Sequence, residues 1–596
     1  METSLFSQPC RLLSLPTEVK LEIVDFLDQR RDLYNLSQTC RILEDMVMSR
    51  LYYNFSFELP QNGRPTFREP VTQSVRELTI RNGKTQRRDS MYKRRRISDA
   101  GSVASRVNGL LDRIPKDQLT KFEYGSAIFD TPMTSPMLDT LSRTHRETLR
   151  SLSFYDIEPL TEGTVIPETL TRLAARTVND GDAVRKILDM NKKTLQRLSL
   201  GQEKQLQEKY QQSRIGFLNQ IPQPTESFFT SAYSLGTFPQ LRDLSLTGLD
   251  VSLLRPASIH EALFFCRLGR LSLESCPASA DLLESIAGTF HWTATSPEAP
   301  QTPRITPSLK HFLFRHESPN TTLKDALVRF LTSFTGLHTL SLLFENGAIL
   351  ERPSTFIAEH GPTLHHLVFE SRIQPREHLS LDTSRPFGVG GYSHDLWEES
   401  INDIARLCPN LIELGMGFPW NDEMVRLRTT ALPNLQHLKT IHIRNFPENQ
   451  VFSQLGDYTI KEYATKFLEW VFPSLSGGAR PSLTHLAIGP TIYESRWKIS
   501  PRSPQPPHTD TIPATGTSIS MAPFNTSLST YRPPARPQVS RSAPPEFLRT
   551  HHFCLDWAKT RFNRWSPMIT PVSEKFMEEI TGQKPLGGVF EQVWLR

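Results

Sequence analysis

The chain has few cysteines and no close cysteine pairs. Six cysteines occur among 596 residues, and no two of them form a C-x-x-C pair. Dense cysteine frameworks are typical of secreted domains, and C-x-x-C pairs are typical of zinc and redox sites. We therefore expect reduced thiols in an intracellular protein that is cytoplasmic, nuclear or both.

Long apolar runs are also missing. Runs such as Ala262–Cys266 are far shorter than the stretch of about 20 apolar residues that spans a bilayer. The N-terminal segment lacks the uninterrupted apolar core of a secretory signal. The net charge of +5 is small for this length, so it predicts no general attraction to membranes or nucleic acids.

The sequence contains no P-loop, H-E-x-x-H motif, G-x-S-x-G elbow or kinase motif set. The glycine-rich segment Phe387–Tyr392 lacks the flanking strand and helix of a phosphate-binding loop, which predicts a turn. We expect no enzyme activity, no cofactor and no metal site.

A helical module is predicted near the N-terminus, over residues 10–55. Pro16 and Glu18 suit the first turn of a helix that ends near Asp28. Asp32 is the predicted N-cap of a second helix, and Val47 and Leu51 continue the apolar pattern into a third helix or an extension of the second. The apolar positions recur at helical spacing: Val19, Ile23, Leu27, Leu33, Leu36, Cys40 and Leu43.

About forty residues bury too little apolar surface to be stable alone. The module must therefore pack either on the rest of the chain, as a cap, or on a partner.

The string Leu15-Pro16-x-Glu18-Val19, followed by Leu36-Ser37-x-Thr39-Cys40-Arg41-x-Leu43, resembles an F-box. The sequence departs from many members at Ile42 and Leu43, where those have an aromatic residue. The resemblance implies a three-helix domain that docks onto the Skp adaptor of cullin–RING ubiquitin ligases. It also implies adaptor contacts by Leu15, Pro16, Val19, Ile23, Leu27, Leu33, Leu36 and Leu43.

A second pattern, L-x-x-L-x-L or close to it, predicts strands throughout residues 71–490. It occurs twelve times, beginning at positions 75, 119, 149, 195, 241, 268, 309, 337, 364, 411, 438 and 483. Helices are predicted between the strands, for example over Leu282–Phe290, Asp325–Phe334, Ile401–Leu407 and Tyr463–Val471.

One strand and one returning helix per unit is the plan of a leucine-rich-repeat solenoid, with parallel strands on the concave side and helices on the convex side. The units are irregular and carry long insertions, and they resemble the degenerate arrays of fungal F-box proteins. The fold class is therefore α/β, and an ordinary α/β domain is the alternative. Candidate ligand-binding residues beside the strands are Arg242, Asp243, Arg270, Lys310, His311, His338, His365, His366, Glu413, His442 and His485. These histidines lack ligand spacing, which favours solvent-facing positions over a metal site.

Two segments have the composition of disordered chain. One is a basic insertion at about 82–106, and the other is the proline-rich linker 501–546, after which residues 549–596 are expected to cap the array. The insertion could be a nuclear-import signal, a contact for an acidic partner or a solvated loop, and Ser90 and Ser98 resemble basophilic kinase sites. Its candidate residues are Lys84, Arg87, Arg88, Ser90, Lys93, Arg94, Arg95, Arg96 and Ser98.

These observations predict a non-catalytic substrate receptor of a Skp–cullin–F-box ubiquitin ligase, with an unknown protein substrate. The alternative is a repeat scaffold outside any ligase, in which the N-terminal module is only a cap and the basic insertion contacts nucleic acid.

Overall fold

The computed structural model describes most of the helices and strands and parts of their connections. The described residues are 12, 14–27, 30–59, 69–82, 100–125, 132–178, 181–202, 228, 238–254, 256, 259–295, 307–316, 320–345, 354–372, 394–418, 431–444, 460–472, 480–488, 551–559 and 565–572.

Three short helices open the described chain: α1 (Thr17–Asp25), α2 (Arg30–Ser37) and α3 (Arg41–Leu51). The predicted N-cap at Asp32 is wrong, because the helix already includes Arg30; Asp32 lies in its first turn, where a carboxylate still favours the positive end of the helix dipole. The first helix also ends earlier than expected, at Asp25, and residues 47–51 belong to a third helix.

All sixteen described strands form a single sheet in which the spatial order equals the chain order. Strands β1 to β14 pair in parallel, whereas β15 pairs antiparallel with both β14 and β16. The strands are β1 (Asn54–Leu59), β2 (Glu77–Asn82), β3 (Lys121–Tyr124), β4 (Ser151–Phe154), β5 (Arg172–Ala175), β6 (Arg197–Gly201), β7 (Asp243–Thr247), β8 (Arg270–Glu274), β9 (His311–His316), β10 (Thr339–Glu345), β11 (His366–Arg372), β12 (Glu413–Met416), β13 (Thr440–Ile443), β14 (His485–Ile488), β15 (His551–Lys559) and β16 (Trp565–Val572).

Helices alternate with many of these strands. They are α4 (Glu69–Ser74), α5 (Ala100–Leu111), α6 (Ser135–Thr144), α7 (Gly181–Asn191), α8 (Ile259–Arg267), α9 (Ser279–Thr295), α10 (Thr321–Thr332), α11 (Ser354–His360), α12 (His394–Leu407) and α13 (Ile460–Val471). Among the described helices, none has both the length and the apolar character needed to cross a bilayer. The predicted fold class, an N-terminal helical module followed by a parallel repeat sheet with helices, is confirmed.

One core runs along the whole sheet. In each of the strands β2 to β14 the second and fourth positions, such as Leu244 and Leu246, point into an apolar layer shared with the helices. β16 is the last described strand of the sheet, and its Pro567 and Pro571 cannot donate a backbone hydrogen bond to a further strand.

Two predicted boundaries differ from the structure. The sheet begins at Asn54 rather than at residue 71, because the strand β1 follows α3 directly and pairs with β2. The disordered insertion expected over 82–106 overlaps α5, whose apolar side, including Val107 and Leu111, is buried in the core.

Candidate functional site

The N-terminal module has a core of its own that is very small. Its cluster consists of Val24, Leu33, Val47 and Leu51, and Leu43 is buried as well. The Arg50 guanidinium fixes α1 against α3 by donating to the Val24 carbonyl (2.5 Å) and to the Asp25 carboxylate (3.0 Å). Four side chains can hold three helices together, but they cannot cover all the apolar surface of the module.

The residues expected to contact an adaptor are divided between this core and the surface. Those facing inward serve the module itself, so only part of the set is available to a partner. Leu33 and Leu43 are buried, Leu15, Ile23, Leu27 and Leu36 are half-buried, and Pro16 and Val19 are exposed.

The structure adds four exposed apolar residues that the helical periodicity did not select. Phe26 is 83% exposed, and Leu21, Tyr34 and Ile42 are each more than two-fifths exposed. They lie off the i, i+4 stripe that was expected to mark the inward side of each helix, whereas the buried residues of α1 are Lys20 and Val24. Their signal in the sequence was large apolar residues outside that stripe in a segment too small to bury them.

The module is joined to the sheet without a separate linker. Tyr52 packs on the module core and also lies edge-on to Phe55 of β1, with ring centroids 5.9 Å apart. The backbone N–H groups of Arg76 and Glu77 both donate to the Tyr53 carbonyl, at 2.9 and 2.8 Å. These contacts fix the module to the first strands of the array.

The second candidate surface is the face of the sheet opposite the helices, which we call the open face. Its first row is made by the residue that occupies the same register position in each parallel strand. That row is Glu77, Lys121, Ser151, Arg172, Arg197, Asp243, Arg270, His311, Thr339, His366, Glu413, Thr440 and His485.

A central row, two residues further along each strand, is made largely of small side chains. It consists of Thr79, Glu123, Ser153, Ala174, Ser199, Ser245, Ser272, Leu313, Ser341, Val368, Gly415, His442 and Ala487. Between the longer side chains on either side, these residues form the floor of a groove.

The sequence-predicted binding residues fall mainly on this face. Most occupy the first row, His442 occupies the central row, and Arg242, Lys310, His338 and His365 precede the first row at the strand starts. Lys121, Arg172 and Arg197 were missed. Arg172 lies on β5, a strand that the L-x-x-L-x-L pattern did not reveal.

The open face changes character along the sheet. From β3 to β8 its first row carries four cations, whereas from β9 onward it carries histidines and the carboxylate of Glu413. His366 Nδ1 lies 2.5 Å from Glu413 Oε2; burial raises the pKa of Glu413, and this hydrogen bond opposes the rise.

The histidines of the open face are close to one another but do not form a metal site. The rings of His311 and His338 lie 6.4 Å apart, and those of His338 and His365 lie 5.4 Å apart. Burial and then nearby Arg270 lower the pKa of His311 to about 4, so this side chain is neutral at pH 7. In the described part of the chain, no group of three or more His, Cys, Asp or Glu residues is placed to hold a metal ion.

The basic cluster Lys84–Arg96, together with Ser90 and Ser98, lies outside the described residues. The proline-rich linker 501–546 also lies outside them. The predictions made for these segments stay predictions.

A comparison with known families identifies the N-terminal module. Residues 12–58 match the F-box-like family. The match covers all three helices and most of β1, so the chain contains an F-box-like domain, as predicted. F-box domains in general bind Skp-type adaptors, and F-box proteins are typically non-catalytic. No curated protein matches the chain.

Proposed function

We propose that this chain is a substrate receptor of a Skp–cullin–F-box ubiquitin ligase. Its F-box-like domain docks onto the Skp-type adaptor, and its repeat array binds the target protein. The chain carries out no chemistry; it holds the target near the conjugating enzyme, which raises the effective concentration of the reacting groups. This role places the protein inside the cell.

One observation supports the docking step above all. Nine large apolar residues are exposed in the described structure, and six of them lie within the F-box-like domain: Val19, Leu21, Phe26, Tyr34, Ile42 and Tyr53. Burying a side chain of this size contributes about 1.5–3 kcal/mol. A partner that covers this surface therefore provides the apolar packing that the small domain lacks, as in helix-in-groove recognition.

The junction between the domain and the array supports the positioning role. Because α3 ends at Leu51 and β1 begins at Asn54, only two residues separate the docking domain from the sheet. The packing of Tyr52 on both sides of this junction restrains their relative orientation. A target bound to the array would thus be held at a fixed place relative to the adaptor.

The test is binding of the purified Skp-type adaptor to the full chain and to Val19→Asp/Phe26→Asp, measured by isothermal titration calorimetry. Both residues are exposed, so the variant should fold. We expect affinity to fall by about 100-fold or more, because two apolar contacts in an interface centre typically contribute about 2 kcal/mol each.

The matched control is Met190→Asp/Leu253→Asp, which introduces the same two charges at exposed apolar positions of the array. It should bind the adaptor as the wild type does, with the same thermal midpoint. Equal affinities for all three proteins would contradict the proposal. Affinity purification with mass spectrometry of the wild type and the docking variant would then identify the cullin and the candidate targets.

A further inference from the structure

We propose that the groove on the open face between β3 and β8 binds an extended, carboxylate-rich segment of the target protein. This inference rests on the proposed function, since it specifies which kind of target the array recognises. The groove is a cavity of about 290 Å³ whose walls include Lys121, Arg172, Arg197 and Arg270.

The residues that line the groove include more positive than negative groups, and several of them form ion pairs. Lys121 lies 3.8 Å from Glu77, Arg176 lies 3.6 Å from Glu123, and Arg197 lies 3.0 Å from Asp243. The lining itself carries four cations, Lys121, Arg172, Arg197 and Arg270, and two carboxylates, Glu123 and Asp243, which leaves an excess of two positive charges.

Two like charges are also held on neighbouring strands. Arg172 and Arg197 occupy paired positions of β5 and β6. Burial lowers the pKa of Arg172 and the nearby Arg197 charge lowers it further, while the charges of Asp243 and Glu77 partly offset this lowering. Gathering guanidinium groups in this way is unfavourable in the free protein, and an anion that enters the groove relieves the repulsion.

The floor of the groove offers hydrogen-bond donors to such an anion. Ser153 and Ser199 are 7% and 6% exposed, and both line the cavity. Within the described residues neither hydroxyl has a hydrogen-bond partner, which is uncommon for polar groups so deeply buried. Hydroxyl and guanidinium donors together are the groups that bind carboxylates.

The spread of the cations indicates a segment rather than a small ion. Lys121 on β3 and Arg270 on β8 are five strand spacings apart, about 24 Å at about 4.8 Å per strand. An extended chain covers that distance with about seven residues. A segment with several Asp or Glu residues can therefore reach all four cations, whereas a single phosphate or carboxylate cannot.

The proposed binding surface ends at β8, because the neighbouring part of the open face lacks its positive charge. His311 borders the groove at β9 and is neutral at pH 7, as described above. The row continues through Thr339 and His366, where the positive charge of the arginines is absent. We therefore place the acidic segment over β3 to β8 and not over the second half of the array.

The experiment measures the fluorescence anisotropy of a labelled peptide of about ten residues that alternates Glu and Ser, long enough to span the groove. It is titrated with the full chain and with Arg172→Gln/Arg270→Gln. We expect wild-type binding that weakens with salt and is at least about tenfold weaker in the variant. Arg172→Glu/Arg270→Glu should lose the Glu–Ser peptide and prefer a Lys–Ser peptide.

Arg143→Gln/Arg329→Gln is the matched control, because it removes two exposed arginines that pair with Asp139 and Glu284 on helices away from the groove. It should bind the peptide as the wild type does, and thermal unfolding should show that all variants fold.

A Gln–Ser peptide that binds equally well, or an equal loss in the control, would overturn the proposal. Binding of a phosphoserine peptide without binding of the Glu–Ser peptide would overturn the carboxylate assignment. Displacement of the Glu–Ser peptide by single-stranded RNA at equal charge would overturn the assignment to a protein segment.

The docking variant Val19→Asp/Phe26→Asp separates this inference from the proposed function. It should bind the Glu–Ser peptide normally while failing to bind the adaptor. Adaptor binding without peptide binding would refute only the groove assignment. Peptide binding by a wild-type chain that never binds the adaptor would refute the ligase role.

Discussion

The F-box-like domain and the repeat array differ in how completely they bury their apolar side chains. The array encloses its apolar side chains in one core that runs from Val71 to Trp557. Among the described residues, the domain has a core cluster of four apolar side chains and leaves others, such as Phe26, in solvent. The array therefore has the packing of a structure that is complete by itself, while the domain has the surface of one that is completed by a partner.

The largest effect is expected from deleting packing inside the array. The Phe330 ring is fully buried and lies 4.9 Å from Phe312 and 5.2 Å from Phe334, between ring centroids. Phe330→Ala should lower the free energy of unfolding by about 3–5 kcal/mol, because it leaves a cavity in a close-packed layer. Denaturant unfolding of the full chain measures the loss. Adaptor binding should not restore the lost stability, and a recovery would show that the array depends on the partner too.

The second prediction concerns the protonation of His360, a histidine buried in the core of the array. His360 Nε2 lies 2.8 Å from the Leu331 carbonyl, and the Leu337 N–H donates to Nδ1 at 3.5 Å, so the neutral ring is held between a donor and an acceptor. Burial lowers the pKa of His360 from 6.5 to about 4. Between these values the unfolded chain binds a proton that the folded chain does not. Stability is therefore fully present above pH 6.5 and is lost as the pH falls toward 4.

At pH 5 this single residue should reduce the free energy of unfolding by about 2 kcal/mol relative to pH 7.5. Unfolding at a series of pH values measures the slope. His360→Gln should be less stable at pH 7.5 but should have a slope smaller by up to about one proton. An unchanged slope would mean that the ring is accessible to protons in the folded array.

A smaller effect is expected in the F-box-like domain. Val47 is completely buried in its core. Val47→Ala removes about two CH₂ equivalents, a loss on the order of 1.6 kcal/mol at about 0.8 kcal/mol each. Saturating adaptor should offset this loss by binding only the folded domain. Thermal unfolding with and without the adaptor distinguishes this outcome from Phe330→Ala, which the adaptor should leave uncorrected.

The apolar alternation predicted the array well because the same sequence pattern recurs in almost every repeat. All twelve occurrences coincide with strands, β2 to β4 and β6 to β14. β5 was missed because Ala175 stands where the neighbouring strands carry Phe154 and Leu200, and parallel pairing with β4 and β6 overrides that weak local signal. β15 lies in the segment 549–596 that was expected to cap the array, and its antiparallel pairing was not predicted because it depends on a strand that is distant in the chain.

The functional surfaces were harder to predict than the strands. Periodicity was expected to select the inward side of a helix. It identified Leu33 and Leu43, which the domain buries itself, but it also selected the exposed Val19 and passed over Val24 and Phe26. The basic groove depends on register: Arg172 and Arg197 are far apart in the chain and become neighbours only when β5 pairs with β6. The helix pattern does not show whether an apolar residue packs inside the domain or faces a partner. The strand pattern does not show which strands become neighbours in the sheet.

Hydrogen exchange of the full chain, with and without the Skp-type adaptor, tests the contrast between the two regions most directly. In the free chain, amides of α1 to α3 should exchange faster than those of the central strands, because their core is small. Adaptor binding should slow exchange in these helices and leave β6 to β12 unchanged. Slowing in the central strands but not in α1 to α3 would contradict the account, because the adaptor would then bind the array and the exposed apolar face of the domain would have no partner.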